Sequence, residues 1–288
     1  MTIRKEIKLI ILFFLILFGA LLFFINSNKN KDLNINYLNV GQGDATLIKT
    51  PFGQNILIDG GPDDKVLDEM GRLLSWNDKV IDLMVLTHPH DDHVTGLISA
   101  LERYEIKKII YTGVAHTSPN YLKWLQLIKE KHISMAIGIA PQKINIGPEC
   151  YLEIVYPFQN QDLSQEELNN TSMVINLVYG NTNFLFTGDI HSDKEEMIAE
   201  KYPNWNVDVL KIAHHGSNTS TSDVFLNALK PKIGIIFVGL NNPFNHPEKR
   251  VINRLLNQKI KIFRTDKDGT ISIFSNGKEI YKKILKYL

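Results

Sequence analysis

His88-Pro89-His90-Asp91-Asp92-His93 packs three of the nine histidines of the chain and two carboxylates into six residues. Imidazole and carboxylate are ligands for divalent metals such as zinc, manganese and iron. In an extended strand tip, residues two apart face the same side, so His88 and His90 can bind one ion together. Asp92 and His93, at the start of a following helix, are displaced toward a second ion. A polar loop with scattered histidines would bear the desolvation and mutual repulsion of these rings with nothing to offset them.

The flanking sequence supplies the elements that hold such a cluster. Asp82-Leu83-Met84-Val85-Leu86 reads as a buried strand, and Val94, Leu97, Ile98 and Leu101 fall on one face of a helix after it. Upstream, residues 35–40, 45–50 and 55–59 read as strands and 65–76 as a helix. Downstream, strands are predicted at 108–111, 144–146, 151–156, 173–179, 184–187, 207–212, 233–238, 260–265 and 270–275, and helices at 94–104, 120–132, 192–202, 223–229 and 248–258. Strands mixed with helices in this way suggest an α+β chain of two sheets packed face to face, with helices on the outer faces. Sites in that layout lie where strand ends meet loops.

Four further strand ends carry candidate ligands. Leu57-Ile58-Asp59-Gly60-Gly61 places Asp59 after a strand, with glycines that let backbone pass close by. Thr187-Gly188-Asp189 repeats that design. Ala213-His214-His215-Gly216-Ser217 delivers two histidines, and Asn245-His246-Pro247 one more. His246 reads as a candidate proton donor or phosphate contact. His116, His132 and His191 read as structural or solvent-exposed, and Trp76, Trp124 and Trp205 as core or sheet cover.

Taken in order, Gly41-Gln42-Gly43-Asp44-Ala45, the 57–61 turn, His88-x-His90-x-Asp92-His93, Thr187-Gly188-Asp189 and His214-His215-Gly216-Ser217 resemble the metallo-β-lactamase superfamily. Within it they resemble the hydrolase domain of the ComEC/Rec2 competence proteins, over about residues 33–275. The resemblance implies an αβ/βα four-layer sandwich and two divalent ions, with zinc the default on histidine count and manganese or iron also open. It also implies hydrolysis by a hydroxide bridging the two ions. Carried over by position, His88 and His90 hold the first metal, Asp92 and His93 the second, and Asp189 bridges them. His214 completes the second site, although His214 and His215 remain alternatives, with His215 then a substrate contact beside Ser217. Asp59 orients a ligand histidine or the bridging water. Many members add a histidine to the first metal, where this chain has Asn169-Asn170-Thr171-Ser172 instead. Asn170 is the residue expected to reach metal or substrate there.

Composition bounds the rest. At 44% hydrophobic and 22% charged over 288 residues, the chain has globular statistics. A single cysteine, Cys150, excludes an intramolecular disulfide and reads as packing. Residues 9–25 carry no charged or strongly polar side chain and follow Arg4, Lys5 and Lys8. They read as an uncleaved, single-pass anchor with the rest of the chain outside the cytoplasm, and as a secretion signal if cleaved. The expected division is an anchor at 1–31 and a hydrolase domain at 32–288. The first 31 residues hold five Lys/Arg and one acid, so the remainder keeps 27 basic and 30 acidic residues. That acidic balance gives no support for strong nonspecific nucleic-acid binding.

The expected function is a membrane-anchored phosphodiesterase or nuclease acting on nucleic acid or a cell-envelope phosphodiester. Hydrolysis of another ester, a lactone or a β-lactam is an alternative, as is a non-catalytic metal-stabilised module of an envelope or competence assembly.

Overall fold

A computed structural model describes residues 7, 8, 10–19 and 32–282. Seventeen strands run in chain order from Leu33: β1 (Leu33–Tyr37), β2 (Thr46–Lys49), β3 (Asn55–Ile58), β4 (Val80–Ile81), β5 (Leu83–Val85), β6 (Glu105–Ile106), β7 (Lys108–Tyr111), β8 (Ser134–Ile137), β9 (Gln142–Gly147), β10 (Cys150–Tyr156), β11 (Val174–Tyr179), β12 (Thr182–Phe186), β13 (Val209–Lys211), β14 (Ile233–Ile236), β15 (Lys261–Arg264), β16 (Ile271–Ser275) and β17 (Ile280–Lys282). The α-helices that follow β1 among the described residues are α1 (Lys65–Leu73), α2 (Asp91–Arg103), α3 (Pro119–Glu130), α4 (Ser192–Lys201), α5 (Asp223–Leu229), α6 (Lys249–Asn257) and the single turn α7 (Thr265–Asp268).

Eight strands form the first sheet in the order β17-β16-β1-β2-β3-β5-β7-β8, and seven form the second in the order β15-β14-β13-β12-β11-β10-β9. Strand alternation explains how both faces of each sheet are buried. Ile48, Ile58, Val85 and Ile110 point between the sheets, where they meet Ile175, Leu177, Phe184 and Val209. Their chain neighbours Leu47, Leu57, Met84 and Ile109 point the other way, onto Met70, Leu97, Leu101 and Trp124 of α1, α2 and α3. On the second sheet, Leu185, Leu210 and Ile236 pack outward against Ile198, Phe225 and Leu255 of α4, α5 and α6. The layers are therefore αβ/βα. Burial at about 25 cal/mol per Å² of apolar surface, spread over three contiguous cores, is the main force holding them.

Several sequence expectations shift. The helix after the histidine cluster begins at Asp91, so Asp92 and His93 lie in its first turn. β8 was not expected; as the last strand of its sheet it is only half-buried and lacks a continuous apolar run. Trp124 is fully buried, but Trp76 is 87% exposed and covers neither core nor sheet. Cys150 is buried between the sheets.

Residues 10–19 are helical, with Ile10, Phe13 and Phe14 exposed. Among the described residues no helix is long and apolar enough to cross a membrane. Residues 9 and 20–25 of the apolar run, and the rest of the segment to residue 31, lie outside the described residues, as do residues 283–288.

Candidate metal centre

The centre is assembled at one edge of the sandwich, from loops at strand ends of both sheets. The first sheet contributes Asp44 after β1, Asp59 after β3, His88 and His90 after β5, and Asp92 and His93 on α2. The second contributes Asp189 after β12, Lys211 at the end of β13, and His215 in the 3-10 turn Ala213–Gly216.

A glycine contact sets α2 in place. The amide of Gly60 donates to His93 O at 2.8 Å, and that of Gly96 to Gly61 O at 3.0 Å. A Cβ on Gly96 would sit 1.9 Å from Gly60 O, and one on Gly60 would sit 2.3 Å from Leu97 N. Without side chains at either position, the first turn of α2 rides directly on the turn that carries Asp59.

Asp59 is buried and fully used. Its Oδ1 accepts from the Thr87 amide at 2.8 Å, and its Oδ2 accepts from the Thr87 hydroxyl at 2.7 Å and from His93 Nδ1 at 2.9 Å. His93 Nε2 is thereby aimed inward. Among the described residues this buried atom has no hydrogen-bond partner; Asp189 Oδ2 lies 3.4 Å away and Asp92 Oδ2 3.9 Å away. His215 is fixed the same way: Nδ1 donates to Phe237 O at 3.1 Å, and Nε2 lies 3.1 Å from Asp92 Oδ2 and 3.3 Å from Asp189 Oδ2. One ligand atom each from Asp44, His93, Asp189 and His215 falls within 4.8 Å of every other. A buried cluster of two imidazoles and two carboxylates, with an orphaned ring nitrogen at its centre, fits a divalent cation.

His88 and His90 adjoin this cluster. His88 Nε2 lies 3.0 Å from His90 Nδ1, and the His88 ring centroid is 4.1 Å from that of His93. His90, Asp92, Asp189, His214 and His215 line an open cavity of about 590 Å³, whose wall is completed by Gln42, His116, Asn169, Phe244 and His246 among others. A neighbouring cavity of about 540 Å³, lined by Ile137, Phe158 and Leu168 among others, carries no imidazole.

Electrostatics divide the histidines. Burial opposes charge on His215, but Asp189, Asp92 and Asp44 outweigh it and push the pKa up to about 10. His93 is likewise raised well above the usual imidazole range: burial works against it, and Asp189, Asp59 and Asp92 prevail. Burial disfavours the Asp189 carboxylate, yet Lys211, His215 and His93 hold its pKa well below the ordinary value. Burial keeps His88 neutral, with the nearby His93 adding to the effect. His214, lowered to about 4 by burial, is neutral as well. Without metal, protons on His93 and His215 do the neutralising that a cation does in a loaded centre.

Four expected residues sit differently from the sequence reading. His214 points away from the carboxylates: Nδ1 lies 3.0 Å from Thr219 Oγ1, the ring stacks on His191 at 5.3 Å, and it is His215 that enters the cluster. Both residues have left-handed backbone, φ 49° and 53°, so the turn throws adjacent side chains to different sides. Asn170 faces away from the cavity, its Nδ2 donating to Asp193 at 3.2 Å and its Oδ1 accepting from the His191 amide at 2.8 Å. Asn169 is the cavity residue, with Nδ2 3.5 Å from His214 Nε2. Ser217 is buried and holds the loop, its Oγ accepting from the Thr219 hydroxyl at 3.1 Å. His246 does line the cavity; its buried Nδ1 lacks a partner among the described residues, and Asn242 clamps its backbone at 2.8 and 3.0 Å. His116, read as structural or exposed, also faces the cavity, with its ring 6.3 Å from His90.

Residues 38–239 match the metallo-β-lactamase superfamily. The chain belongs to that superfamily. It is 28% identical over 272 residues to ComE operon protein 3 of Bacillus subtilis (strain 168), covering 87% of this chain and 34% of that protein. It is 29% identical over 235 residues to competence protein ComA of Neisseria gonorrhoeae, covering 80% of this chain and 30% of that one. The chain thus spans about a third of the length of these relatives. Among solved structures, the metallo hydrolase Igni18 of Ignicoccus hospitalis KIN4/I superimposes with a TM-score of 0.54 at 14% identity, over 83% of this chain and 98% of that one. That likeness concerns the superfamily fold.

Besides Asn169, Asp44 and Lys211 are residues of the candidate site to which the sequence reading attached no role. Asp44 stood inside a recognised motif with no role attached, and Lys211 lay unremarked in Val209-Leu210-Lys211-Ile212.

Proposed function

We propose that this superfamily member is a membrane-anchored, binuclear metal-dependent hydrolase of phosphodiesters. The observation that carries the reading is the orphaned Nε2 of His93 facing Asp189, Asp92 and His215 inside a buried, doubly braced cluster. His88 and His90 would hold one ion, Asp92, His93 and His215 the other, and Asp189 would lie between. Bound divalent ions, with zinc favoured by the imidazole count and manganese or iron also suited, would supply Lewis acidity and lower the pKa of water for attack.

The chain's own residues do the rest. Asp59 and the Phe237 carbonyl hold the tautomers of His93 and His215, so that Nε2 of each is free to ligate. His116 borders the cavity beside His90, and Asn169 borders it beside His214, in the stretch where many relatives place another histidine. An amide there leaves room for a charged, extended substrate. His246, held by Asn242, faces the same space and would contact the phosphate or pass a proton to a leaving oxygen.

One relative is named competence protein ComA and another recombination protein 2, and recombination supports nucleic acid as a candidate phosphodiester. The apolar run at 9–25 supports a membrane anchor with the catalytic domain outside the cytoplasm. The test is turnover of bis-p-nitrophenyl phosphate and of single-stranded DNA by chelated protein before and after zinc or manganese is restored. Metal-dependent cleavage of at least one is expected. Absence of turnover with metal bound would refute a phosphodiesterase.

A further inference from the structure

Lys211 is a buried ammonium in the wall of the centre, 1% exposed. Its three donors meet three acceptors: Asp189 Oδ1 at 3.0 Å, Gly188 O at 2.5 Å, and Asp44 Oδ2. Each carboxylate is therefore divided. Asp189 gives Oδ1 to the lysine and turns Oδ2 to His93 and His215. Asp44 gives Oδ2 to the lysine; its buried Oδ1 has no hydrogen-bond partner among the described residues and lies 3.4 Å from His215 Nδ1, the ring nitrogen that donates to Phe237 O away from the cluster centre.

The geometry points to Lys211 as the positioning residue of the metal centre: its ammonium withholds Asp44 from the metal shell and presents Asp189 through one oxygen only. Asp44 comes within ligand distance of the cluster, and its anionic charge would otherwise make it a competing ligand. A buried ion pair is a poor stabilising device compared with apolar packing of the same volume. Retaining one against the centre is understandable if it governs what the carboxylates can do. The ammonium also adds a fixed positive charge beside the ions, which limits how tightly they are held.

This inference rests on the metal-binding reading above, and a mutant cycle separates the two. Zinc affinity is measured by chelator competition, and bound metal by elemental analysis, for the parent, Asp44→Asn, Lys211→Met and the double variant. Removing the ammonium is expected to tighten binding about tenfold or more and removing the Asp44 charge to weaken it comparably. The double variant should return to within about threefold of the parent, because a non-ligand pair cancels. If the double variant stays as weak as Asp44→Asn, Asp44 is a ligand and the proposal is wrong. An Asp44→Asn affinity equal to the parent's also overturns it. Should Lys211→Met fail to fold, the comparison of Asp44→Asn with the double variant decides alone. A parent that binds no zinc overturns the metal reading and this inference together; a parent that binds, with a double variant that does not recover, overturns only this one.

Discussion

Asp59 and His93 lie 34 residues apart in the chain and share a 2.9 Å hydrogen bond between Oδ2 and Nδ1. The bond fixes which nitrogen of His93 carries the proton, and so which one can take a metal. Replacing Asp59 with Asn keeps the shape but removes the charge that makes Nε2 a good donor. Metal affinity is expected to fall roughly 10- to 100-fold while the far-ultraviolet dichroism is retained. Unchanged affinity in a competitive chelator titration would show that Asp59 serves the fold alone.

His214 and His215 should separate cleanly. His215→Ala removes a ring from the buried cluster, and bound metal and turnover are expected to be lost together. His214→Ala leaves the cluster intact and should keep the parent's metal content, with its effect confined to a raised KM. Elemental analysis of the two purified variants is enough; loss of metal in His214→Ala but not in His215→Ala would reverse the assignment.

Metal-free protein should become less stable as pH rises above neutrality. The folded-state pKa of His215 is raised to about 10, and that of His93 is raised too. A raised histidine contributes its full stability below the unfolded value of about 6.5, and that contribution is lost as pH climbs toward the folded value. Between pH 6.5 and 9 these two groups set most of the trend: the Glu195 carboxyl, raised by burial to about 7, adds a loss in the same direction that ends near neutrality, and the buried Cys150 thiol, pushed up to about 12, adds its loss only above the ordinary value of 9.0. Melting temperature of chelated protein should therefore drop across this window. Zinc affinity should rise across it, since binding expels the same protons. A melting temperature that rose from pH 7 to 9 would contradict the arrangement.

Gly96→Ala tests the contact that seats α2. Its new methyl would overlap Gly60 O, and the helix would have to lift away from the Asp59 turn. A loss of roughly 2 kcal/mol or more is expected, read as a lower urea midpoint, along with weakened metal binding. A midpoint equal to the parent's would mean that the contact is not tight.

What was readable in the sequence and what was not follow from how local each signal is. His88, His90, Asp92 and His93 are consecutive enough that strand and helix periodicity alone bring them together. Asp59 and Asp189 stand out because each ends an apolar run beside glycine. The choice between His214 and His215 depends on two left-handed residues in a 3-10 turn, a backbone state that neighbouring sequence does not specify. Asn169 and Asn170 pose the same difficulty: within the 3-10 turn Leu168–Thr171 one step of the chain swings the side chain about a third of a revolution. Lys211 had no local mark at all, since a lysine ending a strand usually reaches water, and its partner Asp44 is supplied by the other sheet. Trp76 misled because it follows the apolar positions of α1, yet it lies past the end of the helix.

The two sheets contribute unequal but indispensable shares of the centre: the cluster from β5 and α2 on one side, Asp189 and His215 on the other. Their facing surfaces are joined by close-packed apolar side chains, whose contacts are non-directional and lie behind the loops that carry the ligands. A cation held from both sides would add directional bonds between those loops. A bound cation would therefore latch the working edge of the sandwich, where the Asp44–Lys211 ion pair already joins the two halves. Chelation should accordingly raise amide exchange at residues 87–93 and at 187–190 and 213–217 together, while the strands behind them stay protected.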